Sequence, residues 1–479
     1  MNYGYKKMYI GGQLKDALSG ERRKVICPAT EACVGEVAYA DAADAEVALQ
    51  EAQKGFLYWK RLSLAERKAW MLKLQAEVIK NEESLREAMM FEMGKTYASG
   101  GEDIEAIVNA LDFYPNAMLQ HSEEILPDLE NTHRHQLIKQ PAGVVVAYLA
   151  WNFPLLNVGY KLGPALAAGC SIIIRPSNLA PLSAYLLGEI LAEMKFPAGV
   201  INILSGSTTG AADTLTKSPI TKVMTMIGST RSGLKVIGTS TTSMKRISME
   251  LGGNAPFIVC ADADIDRAVE IGVALKYGNC GQVCVAPNRF LLHESVQAEF
   301  LRKFEAKVKT LHVGFGRAEA PDLGPLVSRK DRARIQQMVA DDVKAGATLV
   351  CGGGIPVDQP KGFFMEPTIL TGLTPQMRCF REEIFGPVAA MMTFKTKEEA
   401  LALANDTIYG LASYVFSNSE SLIRYFAEEL AFGEVQVNGV KYAMYLPHGG
   451  INESGVGHDC SYLALHDYLI TKRISTALY

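Results

Sequence analysis

The chain has 479 residues, 48% of them hydrophobic and 21% charged, with a formal net charge of −4. That length predicts two or three domains with full-sized cores. The weak negative charge and the lack of a long basic run exclude nucleic acid and anionic membrane surfaces as expected partners.

The opening MNYGYKKMYIGGQ lacks the apolar core of a signal peptide, so a cytoplasmic protein is expected. From Asp41 to Glu92 apolar residues recur three and four apart, the helical period, and Ser63 stands where an N-cap belongs. A second helical stretch runs from about Gly101 to Ser122. The polar segment DLENTHRHQLIKQ, 128–140, reads as a pair of exposed strands.

From Pro141 the pattern alternates. AGVVVAYLA, CSIIIRPS, GVINILSG and TKVMTMIG read as strands, separated by the helical segments LLNVGYKLGPALAAG, LSAYLLGEILAEM and GAADTLTKS and followed by RSGLKVIGTSTTS. The apolar run from Ala142 to Ile174 is broken by Pro154, Lys161 and Pro164, which argues against a membrane span. Beyond residue 250 the strands APFIVCA and RFLLHE alternate with the helices DIDRAVEIGVALKYGN, VQAEFLRKFEAKVKTL, DRARIQQMVADDVKAG and KEEALALAND. Short apolar strands between helices predict parallel sheets covered on both faces. The expected class is therefore α/β, with two domains in series and a seam near residue 250.

Five short motifs carry chemistry. In MIGSTRSG, 226–233, a strand runs through Gly228, Ser229 and Gly233 into a helix, a geometry whose backbone N–H groups suit a phosphate. In ISMELGGNAP, Glu250 precedes a flexible glycine pair and fits a general base. YGNCGQVCV places Cys280 and Cys284 four residues apart in a glycine-rich turn, readable as metal clip, disulfide half, buried filler or nucleophile. No histidine pair clusters near them in sequence, and nine scattered cysteines fit a reducing compartment, so metal and disulfide are disfavoured. AWNFP, 150–154, offers the Asn152 amide as an oxyanion donor, and EEIFGPV, 382–388, sets an acidic pair before a turn. Each motif alone also reads as a plain turn.

In this order, from MYIGGQ near the start to PHGGINESGVG near the end, the motifs resemble the aldehyde dehydrogenase superfamily. The resemblance implies two Rossmann-like domains plus a small oligomerisation arm: 1–121 and 141–250 for the dinucleotide, 251–455 for catalysis, 122–140 and 456–479 for assembly as a homodimer or homotetramer. It implies Cys284 as nucleophile, Asn152 as oxyanion donor, Glu250 as base for thioester hydrolysis, and Lys161 with Asp459 as a proton relay. No metal is implied. For the cofactor it implies Gly228, Ser229 and Gly233 at the pyrophosphate, Glu383 and Phe385 at the nicotinamide ribose and ring, Trp151 and Leu251 beside them, and Arg175, Ser177 and Asn178 at the adenosine ribose. Many members carry Lys-Pro-Ser-Glu where this chain has Arg175, Pro176, Ser177 and Asn178. Losing that carboxylate removes repulsion of a 2′-phosphate, so NAD is expected with NADP admissible.

Phe153, Leu156, Asn157, Tyr160, Val283, Val285 and His448 should line the substrate tunnel, with Lys441 and Tyr442 closing it. Their polarity points to a small oxygenated or anionic aldehyde of semialdehyde, lactaldehyde or glycolaldehyde type. A CoA-acylating relative often lacks the acid at position 250, so Glu250 argues against that alternative. The intact set of Cys284, Glu250 and Asn152 argues against an idle binding protein.

Overall fold

A computed structural model describes residues 2–120 and 123–478. Its centre is two sheets, each with its own apolar core. In the first, eight strands run in the order Gly455–Val456, Arg246–Glu250, Thr221–Ile227, Val144–Tyr148, Ser171–Arg175, Ile201–Ile203, Met8–Ile10 and Gln13–Lys15. The five from Arg246–Glu250 to Ile201–Ile203 are parallel, and antiparallel strands border them on both sides. Strand order reverses in this sheet between Val144–Tyr148 and Thr221–Ile227, because the strands that follow Val144–Tyr148 first stack to one side and then to the other. Such a switch point leaves a crevice at the carboxyl ends of the strands.

The second sheet has seven strands in the order Thr348–Cys351, Thr368–Thr371, Val388–Phe394, Pro287–His293, Ala255–Val259, Ala412–Phe416 and Glu434–Val437, antiparallel only at its first edge. Five of these seven, Thr348–Cys351, Thr368–Thr371, Val388–Phe394, Ala412–Phe416 and Glu434–Val437, lie outside the strands read from the sequence.

The helical region beyond Asp41 divides into Ala42–Trp59, Leu64–Lys80 and Glu82–Met93. Ser63 caps the second of these through a reciprocal box with Glu66. The next helix spans Gly100–Leu119; Ser122, the expected end of that stretch, lies outside the described residues, as does His121. Segment 128–140 is not a pair of strands. A turn fixed by Asp128, which accepts from the Thr132 and His133 N–H groups, leads into one long strand, His133–Pro141. That strand pairs with Glu123–Leu126 on one side and Leu469–Ala477 on the other.

One buried ion pair sets the site's scaffold. Lys95 Nζ lies 2.5 Å from Asp103 Oδ2 with both side chains fully buried. The other oxygen, Oδ1, accepts from the N–H groups of Leu155 and Leu156 at 3.0 Å each. Helix Pro154–Ala168 has no capping side chain of its own, so Asp103 satisfies its first turn from a neighbouring helix. Asn152 immediately precedes that helix, and Asn157, Tyr160 and Lys161 lie on it. Asp103→Ala should cost about 3–5 kcal/mol, because it strands a buried ammonium and two N–H groups. The first urea unfolding transition should move to lower denaturant by that free energy divided by its m-value.

Candidate active site

A cleft of about 580 Å³ lies at the switch point of the first sheet. Leu149–Asn152, which follow one strand, and Gly228–Ser229, which follow another, form its near wall. Cys284, Asp331, Arg334, Glu383 and Phe385 enter from the second half of the chain.

At the mouth, Ser229 caps the helix Thr230–Ser240, and the Gly228 N–H is held by the Glu250 carbonyl at 3.0 Å. Ser232, Lys235, Val236 and Thr239 continue one face of this helix along the cleft. Gly233 differs from the other predicted contacts. It is absent from the cleft lining, and an added Cβ there would meet Leu251 Cδ2 at 2.7 Å. Its small size serves helix-to-strand packing, a correction to its expected place at a pyrophosphate.

Further out, Asn178 Oδ1 accepts from Ser205 Oγ at 2.6 Å, and its amide donates to Tyr39 Oη and the Gly206 carbonyl at 3.3 Å. Arg175 donates to the same carbonyl at 2.6 Å, while its Nε is buried without a partner. This end thus presents an amide and a guanidinium but no carboxylate from the Arg175–Asn178 turn. Thr208, Asp213 and Thr216 also border the cleft.

At the inner end, the Trp151 and Phe385 rings meet edge to face with centroids 5.4 Å apart. Phe385 holds a left-handed backbone, φ 52°, which is costly for an aromatic residue and is retained here beside the cleft. Glu383 Oε1 accepts from the Gly253 N–H at 2.9 Å, and burial pushes its carboxyl up to about 7. Arg334 donates to the Glu383 and Ile384 carbonyls and so braces the same turn.

Cys284 is half-buried at the bottom of the cleft, whereas Cys280 is wholly buried in the second core. Helix Ile265–Tyr277 ends in three left-handed residues, Asn279, Cys280 and Gly281, and this turn leads into the loop that carries Cys284. An amide network then locks the loop. Asn279 Nδ2 donates to the Asn152 carbonyl at 3.0 Å, and Asn152 Nδ2 donates to the Gln282 carbonyl at 3.1 Å. Gln282 Oε1 accepts from the Val327 N–H at 2.9 Å. A primary amide has two N–H bonds, so Asn152 keeps a second donor. Its Oδ1 is buried and unpartnered. Gly253 lets two loops touch, since a Cβ there would fall 2.2 Å from the Cys284 carbonyl.

Glu250 ends its strand nearly fully buried, with neither carboxyl oxygen hydrogen-bonded. Burial, aided by the Asp459 and Glu434 charges, holds its carboxyl well above the usual range despite His448 and Lys161 nearby. Lys161 Nζ pairs with Asp459 Oδ1 at 2.6 Å in complete burial. The shorter acid therefore reaches its partner. His448 and Asp459 exchange backbone hydrogen bonds at 2.8 and 2.7 Å, and His448 Nδ1 lies 2.6 Å from Glu434 Oε1.

The remaining predicted substrate residues divide. Tyr160 and Tyr442 lie close enough to Cys284 to interact with it electrostatically, and both rings stand beside His448. Val283 and Val285 flank Cys284, partly and fully buried respectively. The Asn157 amide is spent on the Ala150 carbonyl at 3.1 Å, and the Phe153 ring lies under Lys95 Nζ at 3.5 Å. Lys441 is exposed, with its backbone tied to the Gln436 side chain. Lys235, Arg334 and Glu434 are absent from the sequence reading. The first was accessible as the continuation of the Ser229 and Ser232 helical face; the other two come from distant segments with no motif. Among the described residues, no group of three or more His, Cys, Asp or Glu side chains is placed to hold a metal ion, and no helix is long and apolar enough to cross a membrane.

Known proteins resemble the chain over nearly its whole length. The glutarate-semialdehyde dehydrogenase of Pseudomonas putida is 35% identical over 98% of this chain and 97% of its own. The succinate-semialdehyde dehydrogenase [NADP(+)] of Escherichia coli is 34% identical over the same shares. The crystal structure of betaine aldehyde dehydrogenase from Staphylococcus aureus in complex with NAD+ superposes with a TM-score of 0.95 at 30% identity, covering 98% of this chain and 95% of that one. The family model for the aldehyde dehydrogenase family matches residues 15–474, and the chain belongs to that family.

Proposed function

We propose that this enzyme oxidises a small polar or anionic aldehyde to its carboxylic acid, with NAD or NADP as the acceptor. The observation that carries the reading is the half-buried Cys284 thiol at the floor of a cleft sized and lined for a dinucleotide. The cleft fits that cofactor on its own chemistry: a capped helix N-terminus at Ser229, an orphaned Arg175 Nε, and the Trp151 and Phe385 rings at the inner end. Gly228 and Ser229 would hold the pyrophosphate, Glu383 a ribose hydroxyl pair, and Ser177 with Asn178 the adenosine ribose. When bound, the nicotinamide supplies the hydride acceptor.

The protein's own groups do the remaining work. Cys284 attacks the carbonyl carbon, and the second N–H of Asn152 with the Cys284 backbone N–H hold the oxyanion as it forms. Loss of hydride leaves a thioester on Cys284. Glu250 then takes a proton from water to hydrolyse it, passing that proton towards the Lys161–Asp459 pair. Glu250 must first lose the proton that burial places on it, so this step is sensitive to charge nearby.

Tyr160, Tyr442 and the nearby Lys441 support a polar or anionic substrate, as do relatives named for glutarate and succinate semialdehydes. The exposed isoleucines 125, 470 and 474 on the three-stranded sheet support its use as an arm in a homodimer or homotetramer. Nine unpaired cysteines fit a cytoplasmic setting.

The direct test is a panel of short aldehydes differing in charge and hydroxylation. Wild type should reduce nicotinamide nucleotide with semialdehydes or hydroxyaldehydes, and Cys284→Ala should lose at least about 10³-fold in rate. Retained oxidation in Cys284→Ala sinks the assignment. Asn178→Glu should restore an acid beside the adenosine ribose and lower the NADP to NAD ratio of kcat/KM by about tenfold or more, read from initial rates.

Glu250→Gln should keep a single-turnover burst and lose steady turnover. It also tests the raised carboxyl through stability. Folding holds a proton on Glu250 that the unfolded chain releases near its ordinary value of 4.5, so this group makes stability fall as pH rises above that point. The variant should therefore gain Tm relative to wild type progressively from pH 6 to pH 9.

A further inference from the structure

The proton that Glu250 takes from water has to leave a buried site. The Lys161–Asp459 pair towards which it passes is itself in complete burial, so a way to solvent is still needed. A second cavity of about 580 Å³ shares no lining residue with the nucleotide cleft. Gly449, Gly457 and His458 stand in its wall, and His458 is exposed. Glu250 lines neither cavity, but two glycines bring it to the edge of the second. A Cβ added to Gly449 would fall 3.3 Å from Glu250 Oε1, 3.1 Å from His458 Cδ2 and 2.9 Å from the Gly457 carbonyl oxygen. A Cβ added to Gly457 would fall 2.7 Å from Asp467 Oδ2 and 2.8 Å from Ser248 Oγ. The buried carboxyl and the exposed imidazole thus border one small gap, walled by oxygen atoms, that a side chain on either glycine would fill.

We infer that this gap is the route by which the Glu250 proton reaches solvent, with water as the carrier and His458 as the exit group. This rests on the reading of Glu250 as the base for thioester hydrolysis. The O–H bond of the neutral carboxyl breaks and an O–H bond forms on water in the gap. That water passes a proton to the imidazole, where an N–H bond forms and from which solvent takes it. Oxygen keeps the electron pair, Glu250 is left as the carboxylate that activates the next water, and nothing is oxidised or reduced.

The surroundings suit water. Both Glu250 oxygens and Asp459 Oδ2 are buried without a hydrogen-bond partner, and ordered water satisfies such groups in folded proteins. The Gly457 carbonyl, the Ser248 hydroxyl and the Asp467 carboxyl offer the several further partners that a buried water needs. His458 suits the outer end, because an imidazole takes and releases protons near neutral pH. Its backbone N–H is held by Asp467 Oδ2 at 3.3 Å, which keeps the residue beside the gap. The nucleotide cleft is the rival exit, but the cofactor fills it during turnover, whereas the second cavity has a lining of its own.

The experiment is hydrolysis of p-nitrophenyl acetate by the full-length enzyme, saturated with reduced nicotinamide nucleotide and held in dilute buffer. The ester acylates Cys284 with a burst of nitrophenolate, and the steady rate that follows reports hydrolysis of the thioester through Glu250. His458→Ala should keep the burst and lower the steady rate about fivefold or more, a part of what a placed proton acceptor contributes. Added imidazole should restore that rate by standing in for the missing ring. Gly449→Ala should also keep the burst and lower the steady rate, but imidazole should not restore it, because the added methyl closes the gap between Glu250 and His458. His458→Ala, at the exposed end, covers the case in which Gly449→Ala disturbs the packing. A steady rate unchanged in either variant, or a loss in His458→Ala that imidazole leaves as it is, overturns the inference. Absence of a burst in wild type sinks the thioester chemistry itself and the inference with it. A normal burst with hydrolysis indifferent to both variants removes the inference alone.

Discussion

The site is built around a carboxyl group that makes no hydrogen bond. Glu250 sits at the end of a strand whose backbone is paired on both sides, so it cannot retreat to solvent without breaking the sheet. A buried ionised carboxylate is too costly to leave unpaired; a neutral one is tolerable. The surroundings enforce that choice. Of the basic groups nearby, Lys161 is engaged at 2.6 Å by Asp459 and His448 at 2.6 Å by Glu434. The proton that Glu250 holds at rest is thus a consequence of how the neighbouring charges are matched.

The same burial acts oppositely on the facing imidazole. Glu250 gains a proton because nothing pairs its charge, whereas His448 gains one because Glu434 does. Two titratable groups in one buried site are thereby set to different tasks, one cationic and one neutral, by partners rather than by residue type alone.

Much of this was legible in the sequence. Alternation of strands and helices marked four of the first sheet's five parallel strands, because parallel strands buried on both faces read as short apolar runs. Glu250, Cys284 and Asn152 stood out because each lies in a turn rich in Gly, Asn or Pro. Most of the second sheet was harder to see: Glu434–Val437, for one, is only half-buried and reads as a polar segment. The 128–140 segment misled because its polarity comes from lying in an outer three-stranded sheet, which does not reveal how many strands it holds. Gly233 fitted a phosphate motif by spacing while its real constraint was the Leu251 side chain. Glu434 carried no local signal, since its meaning depends on a histidine fourteen residues away.

Part of the backbone strain in the structure lies beside the cleft. Asn279 and Cys280 adopt left-handed backbone in succession, and Phe385 does so across the cleft. Each costs of order 1–3 kcal/mol and persists only if the surroundings over-determine it. Here they do: Cys280 is sealed in the second core, Asn279 is bonded to the Asn152 carbonyl, and Arg334 braces the turn beneath Phe385. Asn152 is in turn held by the helix that Asp103 caps, so its amide and the Cys284 thiol are fixed relative to each other through buried groups of both sheets. The wholly buried Cys280 is therefore more than filler. Its burial anchors the strained turn that leaves the neighbouring cysteine half-open, which is why two cysteines four residues apart have unlike environments and unlike uses.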